Sequence, residues 1–121
     1  MTKIKESSTN YANKSQLSET CSEIYAIDLI RGQWILSIIY HLKNNRLRYS
    51  DLKEQIPNIS DKMLASQLKK MENNKLIKRH VFAEVPVRVE YELSEIALAF
   101  LPILKDLEKW GELHKNYKEI Q

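Results

Sequence analysis

The stretch from Ser60 to Tyr91, SDKMLASQLKKMENNKLIKRHVFAEVPVRVEY, limits the possible folds of this chain more than any other. In its first half Leu64, Leu68 and Met71 recur at helical spacing and put one apolar stripe on one face. Ser60 stands just ahead of them as an N-cap. The same spacing leaves Lys62, Ala65, Ser66, Lys69 and Asn73 on the opposite side, with Gln67 and Lys70 on the flanks. The second half changes period. Val87, Val89, Tyr91 and Leu93 alternate with Arg88, Glu90 and Glu92, which predicts strands over 76–82 and 88–93 around a loop, Ala83 to Val87, that holds Pro86. The result is an amphipathic helix that runs straight into a hairpin, with cations on both.

Immediately upstream, YSDLKEQIPN supplies a shorter helix with Ser50 as N-cap and Leu52 and Ile56 as buried positions. Pro57 stops it, because proline cannot continue the backbone ladder and restricts the residue before it. Residues 50–75 therefore form a helix-turn-helix, and 76–93 form a wing. A lysine-bearing helix face taken alone is more often a solvated surface. The adjoining turn and hairpin favour a face that enters a major groove about 12 Å wide, where Lys62, Ser66, Gln67, Lys69 and Lys70 meet phosphates and base edges. Arg88, at the edge of the wing, is placed to sense a narrow minor groove or its phosphates, and Tyr49 and Ser50 lie near backbone phosphates. Charge follows the same segment. Seven cations and four acids fall between Ser60 and Glu90, which accounts for the whole chain's net charge of +3.

The chain of 121 residues is read as a polar, flexible arm over 1–19 and a single domain over 20–121, mainly α with a small antiparallel β-hairpin wing. With Cys21 as the sole cysteine, no intramolecular disulfide is possible. No apolar run approaches the ~20 residues a membrane helix needs, and the N-terminus lacks a signal-peptide core, so a cytoplasmic protein without a membrane partner is expected.

Thr20 and Glu23 have the capping-box form, and a helix from Thr20 to about Ile30 ends at Gly32. The next, from Gln33, carries Trp34, Ile35, Ile38, Ile39 and Leu42 and should form the floor of the core; Leu47 to Tyr49 can add a short strand beside the wing. Ser94 caps a long helical segment, 94–118, in which Pro102 predicts a kink. Its apolar residues continue beyond what a small winged domain needs. Either they pack only on their own core, or Leu104, Leu107, Trp110, Leu113 and Tyr117 join Ile24 and Ile27 of the first helix across a two-fold axis. The second arrangement is expected, as a homodimer with its two recognition helices about one DNA turn apart.

These residues together resemble the HxlR-type subfamily of winged helix-turn-helix regulators, which are broadly MarR-like. The resemblance runs from Cys21 to about His114. It is carried by Cys21, Gly32 and Trp34, Ile38 to Leu42, Tyr49-Ser50-Asp51-Leu52, Ile56-Pro57, Ile59-Ser60 and Lys62-Met63-Leu64. It continues through Leu68, Leu76-Ile77, Glu84-Val85-Pro86, Val89-Glu90-Tyr91, Leu93 and Trp110-Gly111. Members commonly have Gly-Gly-Lys-Trp where this chain has Arg31-Gly32-Gln33-Trp34, and Pro where it has Ser22; neither change touches the predicted DNA face. The resemblance implies a homodimeric bacterial or archaeal transcription factor, often controlling a nearby detoxification or stress operon.

Some relatives sense electrophiles or oxidants through the cysteine at this position, so an electrophile or small-molecule effector acting at Cys21 is one expectation. Placed first in the helix, Cys21 gains from the helix dipole as a thiolate, while Glu19 and Glu23 oppose that state. The other reading is a cysteine that packs at the dimer interface. Catalysis is not expected: His41, His80 and His114 lie on three different elements, no pair has metal-ligand spacing, and no phosphate loop or nucleophile elbow appears. No cofactor is implied. A winged helix used for protein contacts or RNA is the remaining alternative, but the 62–73 face carries no aromatic residue for stacking and the wing only Val85 and Val87 for an apolar patch. The expected function is sequence-specific binding of double-stranded DNA at a palindromic operator by a transcriptional regulator.

Overall fold

The computed structural model describes residues 21–120. In chain order it contains α1 (Ser22–Ile30), α2 (Gln33–Leu42), β1 (Leu47–Arg48), α3 (Tyr49–Gln55), α4 (Asp61–Asn73), β2 (Ile77–Phe82), β3 (Arg88–Leu93) and α5 (Glu95–Ile120). The expected arm over 1–19 lies outside the described residues. The chain divides within α2 into two compact units, Met1–Leu36 and Ser37–Gln121.

In the first unit, α1 begins one residue later than the capping-box pattern predicts. Cys21 itself is the N-cap, with extended backbone, and its carbonyl accepts the Tyr25 N–H at 3.2 Å. Cys21 thus sits before the first helical turn rather than inside it; Thr20 falls outside the described residues. Arg31 ends the helix, its N–H bonded to Ile27 O, and Gly32 turns the chain with φ +105°. That angle lies in the region that favours glycine, which is why the break falls there. No residue of α1 is buried.

The second unit is built on the helix-turn-helix. Ile38, Ile39 and Leu42 from α2, Leu52 and Ile56 around α3, Ile59 in the turn, and Leu64, Leu68 and Met71 from α4 are all buried. A core face repeating at 3.6 residues is what closes these helices on one another. The N-cap of α3 is Arg48, not Ser50: the Asp51 carboxylate accepts the Arg48 N–H at 3.1 Å, which lets the helix start at Tyr49 and leaves Ser50 exposed inside its first turn. Ser60 caps α4 as expected, its Oγ accepting the Met63 N–H at 3.0 Å. Between the two helices Asn58 takes φ 66°, a left-handed turn that Asn tolerates better than most residues.

The sheet is antiparallel in the order β1-β3-β2. Leu47 pairs with Tyr91, and the hairpin register runs from Ile77 opposite Leu93 to Phe82 opposite Arg88. Period two then sends Ile77, Tyr91 and Leu93 into the core and Lys78, His80, Glu90 and Glu92 to the outer face. Ser94 joins the wing to α5. It is buried, bonded through Oγ to the carbonyls of Lys75 and Leu76, and caps the helix at Ala97 N.

The helix α5 runs unbroken through Pro102. The carbonyl that proline leaves without a donor belongs to Leu98, four residues back, and both residues are exposed, so water can take it. Ala97 is buried and Leu101, Leu104 and Gly111 are half-buried, marking the inner face. A second row, Ile96, Phe100, Ile103, Leu107, Trp110, His114 and Tyr117, repeats at alternating four- and three-residue steps. Most of it is open: Ile103 is 57% exposed, Trp110 63% and Tyr117 63%. Trp110 and His114 stack with ring centroids 5.7 Å apart. Among the described residues, nothing covers this ridge.

Candidate nucleic-acid interface

The amphipathic pattern of α4 decides what it shows to solvent. With Leu64, Leu68 and Met71 turned inward, Lys62, Ala65, Ser66, Lys69, Lys70 and Asn73 are exposed and Gln67 is half-buried on the flank. All the predicted recognition-helix residues therefore lie on or beside one open face. None of Lys62, Lys69 and Lys70 has an ion-pair partner among the described residues, so three ammonium groups remain available for phosphates.

The Tyr49 hydroxyl is engaged within the motif. It donates to the carbonyl of Asp61 at 3.0 Å and approaches the Asp61 carboxylate at 3.3 Å. Partial burial, and then the neighbouring carboxylate, push its phenol above the ordinary tyrosine range, which keeps it protonated and donating. This bond ties the start of α3 to the first residue of α4. Tyr49 fixes the angle at which the recognition helix leaves the turn, while Ser50 stays exposed beside it.

Arg88 is drawn back from the wing tip. Its guanidinium lies 4.0 Å over the Phe82 ring, 3.0 Å from the Glu84 carboxylate and 3.5 Å from that of Glu90. The Nε atom is buried without a hydrogen-bond partner among the described residues. In this position Arg88 braces the loop of the wing, and a minor-groove contact would require it to leave both acids. Next along β3, Glu90 and Glu92 both pair with Arg46, at 3.6 and 2.6 Å, and Glu92 also takes the His80 ring nitrogen at 2.6 Å. Burial alone would raise the Glu92 carboxyl; hydrogen bonds from His80 and Arg46 outweigh it and hold the group below the ordinary glutamate range. A chain of opposite charges thus crosses the outer face of the sheet from the β1 side to the wing loop, tying the hairpin to the loop before β1.

Of the interface residues expected on the terminal helices, Ile27, Leu107, Trp110, Leu113 and Tyr117 are exposed, and Ile24 and Leu104 are half-buried. Cys21 is half-buried with a free thiol. Sequence reasoning did not single out Ile96, Phe100 and Ile103 of the ridge, although their four-three spacing was there to be read; the expected kink at Pro102 obscured it. Nor did it single out Met63, an exposed apolar side chain on the first turn of α4.

Among the described residues no group of acids, histidines and cysteine is set to hold a metal ion, and no helix is long and apolar enough to cross a membrane.

Comparison with known proteins matches residues 29–119 to the HxlR-like helix-turn-helix family. An HTH-type transcriptional regulator of Methanothermobacter thermautotrophicus is 38% identical over 99 residues, covering 82% of this chain and 76% of that one. A MarR-family transcriptional regulator of Enterococcus faecalis superposes with a TM-score of 0.76 at 31% identity, over 84% of this chain and 93% of its own. The redox regulator HypR in its reduced form superposes with a TM-score of 0.73 at 30% identity, over 80% of this chain and 96% of its own.

Proposed function

Because the chain belongs to the HxlR-like helix-turn-helix family and is a DNA-binding transcriptional regulator, we propose that it binds a palindromic operator as a two-fold dimer. One observation carries this reading: a recognition helix whose solvent face holds three lysines without an ion-pair partner among the described residues stands in the same chain as an exposed, largely apolar ridge on α5. Lys62, Lys69 and Lys70 take phosphates, while Ser66 and Gln67 reach base edges from the major groove. Ser50 adds a phosphate contact at the entry to the motif, and Tyr49 sets the geometry behind it.

The ridge is what a second copy would cover. An apolar row repeating every 3.5 residues on average is the pattern by which helices pair, and an isologous contact buries the same row from both subunits. On α1, Ile24 is half-buried. Ile27 is 56% exposed, so it too is open to a partner. The protein works by binding rather than by catalysis, in the cytoplasm where its DNA lies. The salt dependence of duplex binding by the wild-type protein and by Lys69→Ala tests this reading.

A second reading concerns Cys21. HypR, a redox regulator of the same fold, supports a role for thiol chemistry in this chain, and the free, half-buried Cys21 is its sole thiol. Under this reading, modification of Cys21 changes operator affinity through α1. Diamide treatment should shift the DNA-binding curve of the wild-type protein and leave Cys21→Ser unmoved in a gel-shift titration. Equal shifts in the two proteins would end the sensor role.

A further inference from the structure

Met63 is the one large apolar side chain that α4 holds outside the core. Met71 on the same helix is fully buried, whereas Met63 is 38% exposed on the flank that it shares with Gln67 and Lys70. It contributes little to the core from there. It does occupy the N-terminal turn of the recognition helix, the part that reaches base edges when such a helix enters the major groove. Ser60 Oγ accepts its backbone N–H at 3.0 Å, so the turn that carries it is fixed.

The thioether is also engaged. Met63 Sδ accepts a hydrogen bond from Gln67 Nε2 at 3.5 Å, one helical turn on. That contact orients the Gln67 amide and uses one of its two N–H groups. Its second N–H and its carbonyl oxygen remain, and these are the donor and acceptor that an adenine edge takes at N7 and N6. In the major groove the partner of adenine presents the C5 methyl of thymine, the one apolar group on any base edge there.

We infer that Met63 is a specificity-determining residue that packs on a thymine methyl in each half-site, with Gln67 positioned by it to read adenine. This rests on the proposed DNA-binding face of α4 and adds to it a preferred base chemistry. The test begins with duplexes selected from a random-sequence pool by the full-length protein. Each thymine of the selected half-site is then replaced by deoxyuridine, which removes only the methyl group.

At one thymine position the wild-type affinity should fall about fourfold, the loss expected for one buried methyl group. Met63→Ala should bind the selected duplex yet ignore that replacement, and Met63→Leu, which keeps the apolar contact, should retain the sensitivity. Neutral replacement at every thymine would overturn the assignment, as would an equal loss in the wild-type protein and Met63→Ala. A selection that enriches no common sequence would overturn the base-reading role while leaving phosphate binding intact. Loss of all duplex binding would instead remove the function on which the assignment rests.

Discussion

Replacing Trp110 by Asp is expected to split the proposed dimer into monomers and to weaken its hold on a two-half-site operator by about a hundredfold to ten-thousandfold. Trp110 sits in the middle of the exposed four-three row on α5, with Ile103 and Leu107 on one side and Tyr117 on the other. In the proposed pairing, a carboxylate placed among Ile103, Leu107 and Tyr117 loses its water at the centre of the contact and costs several kcal/mol. The loss in DNA binding follows from geometry alone. A dimer delivers its second recognition helix as an intramolecular event, and a monomer must bind each half-site separately. Light scattering at micromolar concentration reads the mass, and a gel shift reads the affinity. An unchanged mass for Trp110→Asp would mean that the ridge serves some other contact.

The second large effect is on the recognition helix from its inner side. Leu64→Ala should lower unfolding stability by about 2–5 kcal/mol, the usual cost of truncating a fully buried leucine and leaving its cavity. Leu64 is 0% exposed, and the same is true of Met71 two turns further along. Against a total stability of about 5–15 kcal/mol, such a loss is large enough to unfold part of the population. Urea denaturation followed by far-ultraviolet dichroism would record it as a lower midpoint. Lys62→Ala, one residue from the N-terminus of the same helix, should change stability by no more than about 0.5 kcal/mol, since its side chain touches solvent. A helix whose inner face holds the fold and whose outer face is the proposed DNA contact must separate these two variants. Equal effects on stability would mean that the outer face also packs.

Elements set by local pattern were legible in the sequence. The α4 stripe, the Ser60 cap, the stop at Pro57, the period-two strands and the Ser94 cap all depend on residues within a few positions of one another, and all are present. Features that depend on pairing across distance were not legible. Arg88 counts as a free cation in any charge sum along the chain. Its acids are near in sequence, Glu84 four residues back and Glu90 two residues on, but only the turn of the wing loop and the period of β3 bring them to its guanidinium, at 3.0 and 3.5 Å. Tyr49 reads as a phosphate contact until α3 and α4 are packed and its hydroxyl meets Asp61, twelve residues on. The capping of α3 is a nearer miss. Both Ser50 and Arg48 precede the apolar positions, and the acid at Asp51 selects the earlier start by accepting the Arg48 N–H. At α1 the cap moves the other way, to Cys21, which leaves the thiol before the helix and not within its first turn.

The outer sheet face gives these local choices a common consequence. Arg46, His80, Glu90, Glu92, Arg88 and Glu84 link the β1 side, both wing strands and the wing loop, so these parts of the wing are tied to one another by charge. The lysines of α4, by contrast, have no ion-pair partner among the described residues. That division makes the salt response of α4 informative.

The most direct measurement is therefore the affinity for a selected duplex operator as a function of salt, compared between the wild-type protein and Lys69→Ala. Lys69 is exposed on α4 with no ion-pair partner among the described residues, so its removal costs the fold little. If it neutralises one phosphate in each half-site, Lys69→Ala should weaken binding to all sequences alike. The slope of log K against log salt should become shallower by about two units for the dimer, about one for each lost contact. A slope identical to that of the wild-type protein would contradict the account, because the cationic face of α4 would then not lie on DNA.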